Sequence, residues 1–320
     1  MKKINLHLLI LIMISLWSNR LFSQYTFFNP AGAFAIEVSL ANTNLTRMPM
    51  YRNSIASLAV SGDYIIGGTK AKEGLTPFIF TASLSQQAMT DLEDLNQTIE
   101  GQQSIQTGFC RGKDNQLFAG TIANKNFDNI QGDGHLIRIS VNKKGIITVE
   151  DLGVPVKGEG IFSLSCNAEG TMLYGISFPS GKFFSYTIEN RQTKVYDDIV
   201  PTEKSLKILE AEYALSPEDY LGKSLICDEK GFIYGSLPIN KLFYFDPQKE
   251  TFEIFDSELP EVWGRRTLGR IEAWAKAKDG TLYGGNSGDG QLFAFDPVSR
   301  ELKNLGKPIM MNRLKGLTFG

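Results

Sequence analysis

Histidine is nearly absent from this sequence. Of 320 residues, two are histidine (His7 and His135), three are cysteine and three are tryptophan. No Cys-x-x-Cys and no Cys/His quartet exists, which excludes the common structural zinc sites. An excess of one charge is also lacking. The 33 Lys+Arg face 35 Asp+Glu, and that balance excludes a dedicated nucleic-acid binder, which would carry a strongly basic face. Beyond the N-terminus no apolar run approaches the ~20 residues needed to cross a bilayer. What is present is glycine, 31 residues, and aromatics at 11%. That mix suits many short strands joined by tight turns and excludes disorder or a coiled coil.

The first residues, MKKINLHLLILIMISLWSNRLFSQ, carry a basic start (Lys2, Lys3) and an apolar core from Leu8 to Leu16. A polar stretch, Ser18 to Arg20, follows. This is the pattern of a secretory signal peptide over residues 1–23, with Ser23 before the cut, and it predicts a secreted or periplasmic protein without a membrane span after cleavage. Removal of that segment leaves 30 cationic against 35 acidic side chains, and His135 as the last histidine. The expected organisation is a signal at 1–23, an N-terminal segment with outer strands at 24–50, and one domain over 51–320.

A repeat organises that domain. Residues 270–306, 224–255 and 161–196 share one grammar, with weaker copies over 105–150 and about 55–95. A short apolar strand ends at a polar Gly or Asn turn. A second strand carries Leu/Ile-Tyr/Phe-x-Gly, a third Leu-Phe-x-Phe, and a fourth is more polar. Alternation with period two supports strands throughout. Four antiparallel strands recurring every ~40–50 residues predict an all-β fold, a β-propeller of four-stranded blades. Five blades are recognisable. Residues 313–320 read as the first strand of a partial sixth, and residues 33–48 as its outer strands. The aromatics of the second and third strands are expected to pack blade against blade, with the adjacent glycines allowing close approach.

The Asp-Gly-x-Leu-Tyr-Gly and Leu-Phe-x-Phe-Asp-Pro elements resemble blades of the secreted bacterial propeller superfamily with gluconolactonase-like and streptogramin-lyase-like repeats. The resemblance spans about residues 51–320 and rests on blade-building residues. It therefore implies a fold and not an activity. The gluconolactonase-like enzymes hold a divalent metal with scattered carboxylate and Asn ligands, and the streptogramin lyases need a catalytic His. No motif transfers either set of positions to this chain, and His135 reads as an ordinary residue between loop and strand.

Every long insertion follows a second or fourth strand: residues 124–134, 200–222 and 258–269. All should therefore fall on one face, the usual arrangement for binding on a rigid scaffold. Leu206, Leu209 and Tyr213 have helical spacing within 202–214, and Ser216-Pro217 reads as a cap or turn. Trp263, Arg265 and Arg266 cluster in the last insertion, and Arg270, Arg313 and Arg52 stand at or near the starts of first strands. Guanidinium forks recognise carboxylate, sulfate or phosphate, and a Trp face stacks on sugars. These six residues are the candidate ligand site, with an acidic carbohydrate or a protein as the ligand. Pairing with Glu261, Glu272, Glu210 or Glu212 in structural bridges is the competing reading. Asp128, Asn129 and Asp133 offer oxygens to Ca²⁺, but such turns need no metal and no cofactor is expected. Cys110, Cys166 and Cys227 occupy equivalent or nearly equivalent places in first strands. Rotation-related positions are expected to lie too far apart for a disulfide, leaving buried free thiols. A non-catalytic binding protein is the leading expectation. A metal-dependent lactonase-like hydrolase or polysaccharide lyase, and a truncated inactive propeller, are the alternatives.

Overall fold

The computed structural model describes residues 53–72, 74–127, 131–196, 216–237, 240–260 and 269–318. The signal segment, the N-terminal segment 24–50 and the predicted helix at 202–214 lie outside the described residues. Within them the chain is a succession of antiparallel meanders. Three are separate four-stranded sheets in simple sequence order. The first comprises β10 (Gly160–Cys166), β11 (Met172–Phe178), β12 (Phe183–Thr187) and β13 (Gln192–Tyr196). The second holds β14 (Ile226–Cys227), β15 (Ile233–Leu237), β16 (Lys241–Asp246) and β17 (Thr251–Glu258). The third holds β18 (Ile271–Lys276), β19 (Leu282–Asn286), β20 (Leu292–Phe295) and β21 (Leu302–Gly306).

Upstream, two further meanders are joined into one nine-stranded sheet. One runs β1 (Ser54–Ser61), β2 (Tyr64–Lys70), β3 (Phe78–Ser83), β4 (Ala88–Asp94). The other runs β6 (Cys110–Arg111), β7 (Leu117–Ala123), β8 (Leu136–Val141), β9 (Ile147–Gly153). The link is β5 (Gln102–Ile105), which pairs with β2 on one side and β7 on the other. Two short helices, α1 (Leu95–Thr98) and α2 (Asn124–Phe127), sit in the connections around this link.

The repeat residues have clear physical tasks. The turn glycines Gly170, Gly231 and Gly280 take φ of 68°, 89° and 87°, where a side chain is strained. Asp228, Asp246 and Asp296 each accept backbone N–H bonds from residues just ahead, closing Asx turns. In the second strands the glycine has a different purpose. Gly67, Gly175, Gly235 and Gly284 pair across the ladder with Phe80, Phe184, Phe243 and Phe293. Each phenyl ring lies flat over its glycine. A Cβ on Gly284 would come within 2.1 Å of the Phe293 ring, and one on Gly67 within 2.1 Å of Phe80. The recurrent Gly is thus the seat of the recurrent Phe. Gly284→Ala should lower the urea-unfolding free energy by about 1–3 kcal/mol through overpacking. A change within experimental error would show that the ring moves aside freely.

Between sheets, the apolar faces interlock. Tyr174 and Phe183 of one sheet pack on Phe245 of the next, with centroid separations of 6.1 and 5.0 Å. Tyr234 then meets Phe295 at 5.6 Å. The predicted packing of sheet on sheet through second- and third-strand aromatics is what holds these units together. The residues predicted as a sixth first strand behave differently. Residues 313–318 form no strand, although Leu314 N–H donates to Asn286 O at 3.2 Å. At the other end, Ile55, Leu58 and Val60 of β1 are each more than half exposed, and no described residue covers them.

Candidate functional site

First strands of the successive units converge on a common cavity of about 590 Å³. Its wall is taken from β1, residues 108–111, β10, residues 223–228, β18 and residues 315–317. Each first strand runs along this wall from its N-terminal end. Near that end β1, β10 and β18 each carry a bulge: Ala56, Phe162 and Glu272 are the extra residues, unmatched in the ladder. A bulge re-aims its side chain. Lys223 belongs to the same ring of positions. It stands four residues before Cys227, as Phe162 stands before Cys166 and Glu272 before Lys276.

The ring places charge where the fold is otherwise apolar. Lys223 Nζ donates to Gln106 O at 2.7 Å and lies 4.8 Å from the centroid of the Phe162 ring. The Arg270 guanidinium lies 5.5 Å from the same ring. Burial, reinforced by the neighbouring Arg270 cation, pushes the Lys223 ammonium down to about 7, although Glu272 and Glu218 oppose this. Arg270 Nε donates to Glu272 Oε1 at 2.9 Å, with both side chains only 5% exposed.

Over this ring lies α3 (Pro217–Tyr220). Ser216 caps it reciprocally with Asp219, as the Ser-Pro pair predicted. Several units hold it. Lys70 of β2 pairs with Glu218 at 2.8 Å. Arg270 donates to the carbonyls of Glu218 and Leu221. Arg313 approaches Asp219 at 3.8 Å. Tyr220 and Leu221 pack on Ile122, Phe162 and Phe178. The described helix thus lies across the N-terminal ends of the first strands near Phe162 and Arg270.

Of the six residues singled out from the sequence, Arg270 and Arg313 are described and stand together at this end. Arg270 is engaged by Glu272 and two carbonyls, while Arg313 is half-exposed. Trp263, Arg265, Arg266 and Arg52 lie outside the described residues, as do Asp128 and Asn129. Asp133 accepts Gly158 N–H at 2.7 Å. His135 Nδ1 lies 2.9 Å from Asp151 Oδ1, away from the cavity wall. Among the described residues, no group of three or more His, Cys, Asp or Glu is placed to hold a metal ion.

Sequence reasoning missed Lys223. A lone lysine reads as a solvated face. The usable signal was its alignment with Phe162 and Glu272 in the repeat. Arg111, Lys276 and Lys315 also line the cavity, so four basic residues stand in its wall with two acidic ones, Asp228 and Glu272. Two polar atoms of cavity residues, Ser57 Oγ and Trp274 Nε1, are buried with no hydrogen-bond partner among the described residues. An unpartnered buried donor costs about 1–3 kcal/mol.

No protein-family description matches the sequence, and no curated protein matches it either. Solved structures do. A streptogramin B lyase superposes with a TM-score of 0.56 at 14% identity, covering 92% of this chain and 79% of its own. The periplasmic gluconolactonase of Pseudomonas aeruginosa gives 0.51 at 16% identity, over 87% and 76%. A catalytically inactive virginiamycin B lyase from Staphylococcus aureus, solved with quinupristin, gives 0.54 at 10% identity, over 82% and 73%. At such identities the likeness is one of architecture. With four-stranded meanders, aromatic sheet-to-sheet packing and first strands around a shared axis, this chain has the β-propeller fold.

Proposed function

We propose that the protein is an exported binding protein whose ligand is an acidic carbohydrate, a sugar acid held in the axial cavity beneath α3. The observation that carries this reading is the imbalance of charge in the cavity wall, four basic residues against two acidic ones. Lys223 is the central member, because its ammonium is sheltered and already close to neutral pH in its titration. A ligand carboxylate beside it supplies the anion that the site is short of. Apolar wall residues such as Phe109 and Leu225 suit the sugar ring's C–H faces. A volume of about 590 Å³ lies within the range of small-molecule sites. Trp263, Arg265 and Arg266, read from the sequence as a ligand-binding cluster, extend the proposal to polymeric uronates.

Calorimetric titration with galacturonate, glucuronate and their oligomers, against glucose as the neutral control, tests it. Uronate binding with at least about tenfold preference over glucose is expected, since one desolvated charge contact is worth about 1.5–3 kcal/mol. No heat with any uronate, or equal affinity for glucose, would remove the charge argument. Affinity gels loaded with uronate-rich polymer check the outer cluster: Arg265→Ala/Arg266→Ala should migrate faster than wild type. The lactonase-like or lyase-like reading is drawn from the fold neighbours, and turnover of an aldonolactone would favour it over simple binding.

A further inference from the structure

We propose that Cys110 and Cys166 form a redox-active pair that closes to a disulfide linking two neighbouring units of the propeller beside the axial cavity. Position in the repeat suggested thiols held apart, but near the axis rotation-related strands converge. Gly112 and Gly170 mark how closely. A Cβ on Gly112 would lie 2.8 Å from the Gly170 Cα, so the two turns touch backbone to backbone. Cys110 stands two residues before the first glycine and Cys166 four before the second. Both side chains belong to one apolar cluster with Phe118 and Leu164, the strands that carry them, β6 and β10, lie in contact, and the Cys110 Sγ donates to the Phe118 carbonyl at 3.7 Å. Cys227 also lines the cavity but belongs to a different apolar cluster, with Leu225 and Phe243. All three are free thiols in this structure.

The chemistry is thiol–disulfide exchange. A thiolate of the pair attacks an exogenous disulfide such as glutathione disulfide, releasing one glutathione thiol and leaving a mixed disulfide. The second cysteine, as thiolate, then attacks the mixed disulfide and releases the second glutathione. The protein loses two protons and two electrons, and the oxidant gains them as two thiols. Reagent reaches Cys110 through the cavity, whose wall it helps to form. Burial and the adjacent Cys166 raise the Cys110 thiol well above its usual range, so closure is slow at neutral pH and faster in mild alkali.

Wild-type protein incubated with glutathione disulfide in mild alkali, then alkylated in denaturant and digested, tests this. The expected result is a peptide pair cross-linked through Cys110 and Cys166, with alkylatable thiols falling from three to one and returning on reduction. The Cys227→Ser variant should form the same cross-link. The link closes a loop of 56 positions and should raise Tm by about 5 °C, chiefly by restricting the unfolded chain. Three alkylatable thiols after treatment, glutathione adducts without a cross-link, or pairing through Cys227 would each overturn the proposal.

Discussion

Glu272→Ala should destabilise the protein by about 3–5 kcal/mol, the usual loss when one member of a buried ion pair is removed. The reason lies in what stays behind. Arg270 would keep its two carbonyl acceptors at α3 but lose the carboxylate 2.9 Å from its Nε. Two cations, Arg270 and Lys223, would then share the face of Phe162 with no buried carboxylate beside them. The remaining acids at α3, Glu218 and Asp219, are each more than a third exposed, and Glu218 is already paired with Lys70. The effect should therefore exceed that of any surface ion pair in the molecule. Lys194–Glu250 and Arg300–Glu253 are about half-exposed, and pairs of that kind contribute about 0–1 kcal/mol. Urea unfolding followed by tryptophan fluorescence measures it. Replacing both partners, Arg270→Met/Glu272→Met, should recover most of the loss, because no unpaired charge then remains. A loss below about 1 kcal/mol for the single variant would mean that water reaches the pair and screens it.

Much of the architecture was legible because blade-building chemistry repeats. The turn glycines at positive φ, the Asx turns at Asp246 and Asp296, and the small residue beneath each third-strand Phe are demands of local geometry, and they recur with the sheet. The Ser216-Pro217 start of α3 was legible for the same reason. The bulges were not. A bulge is hard to read from apolar patterning, yet it breaks the ladder at Phe162 and Glu272 and re-aims their side chains. The site depends on that change of direction. Glu272 was among the partners the sequence offered Arg270, but choosing it over Glu261, Glu210 and Glu212 depended on where Glu272 pointed. The cysteines, expected as free thiols at equivalent or nearly equivalent places in the repeat, are free in the fold. How near they lie was not legible, because separation between rotation-related residues shrinks toward the axis, where the Gly112 and Gly170 turns come nearly to contact.

Lys223→Met should make the protein more stable and poorer at holding an anion. Methionine matches the lysine stem in shape and carries no charge to desolvate. The gain is set by linkage. An unfolded lysine titrates near 10.4, whereas burial and Arg270 hold folded Lys223 at about 7. Below about 7 the folded state carries the full penalty of a sheltered ammonium. Between about 7 and 10.4 the unfolded chain binds more protons, so wild-type stability rises with pH across that window. The variant lacks this dependence. Its advantage should be about 1–4 kcal/mol near pH 6, reduced by the loss of the bond to Gln106 O, and should shrink steadily toward about pH 10. Urea midpoints at several pH values give the comparison, and a constant difference would show that Lys223 titrates normally in the fold. Uronate affinity should move the other way, falling at least about tenfold in the variant and, in wild type, weakening as pH rises through about 7. A residue that lowers stability and raises affinity is one whose burial is explained by its ligand. If Lys223→Met gains stability and binds uronate unchanged, the buried ammonium belongs to the scaffold and the anion site must be sought at Arg313 and the outer arginines.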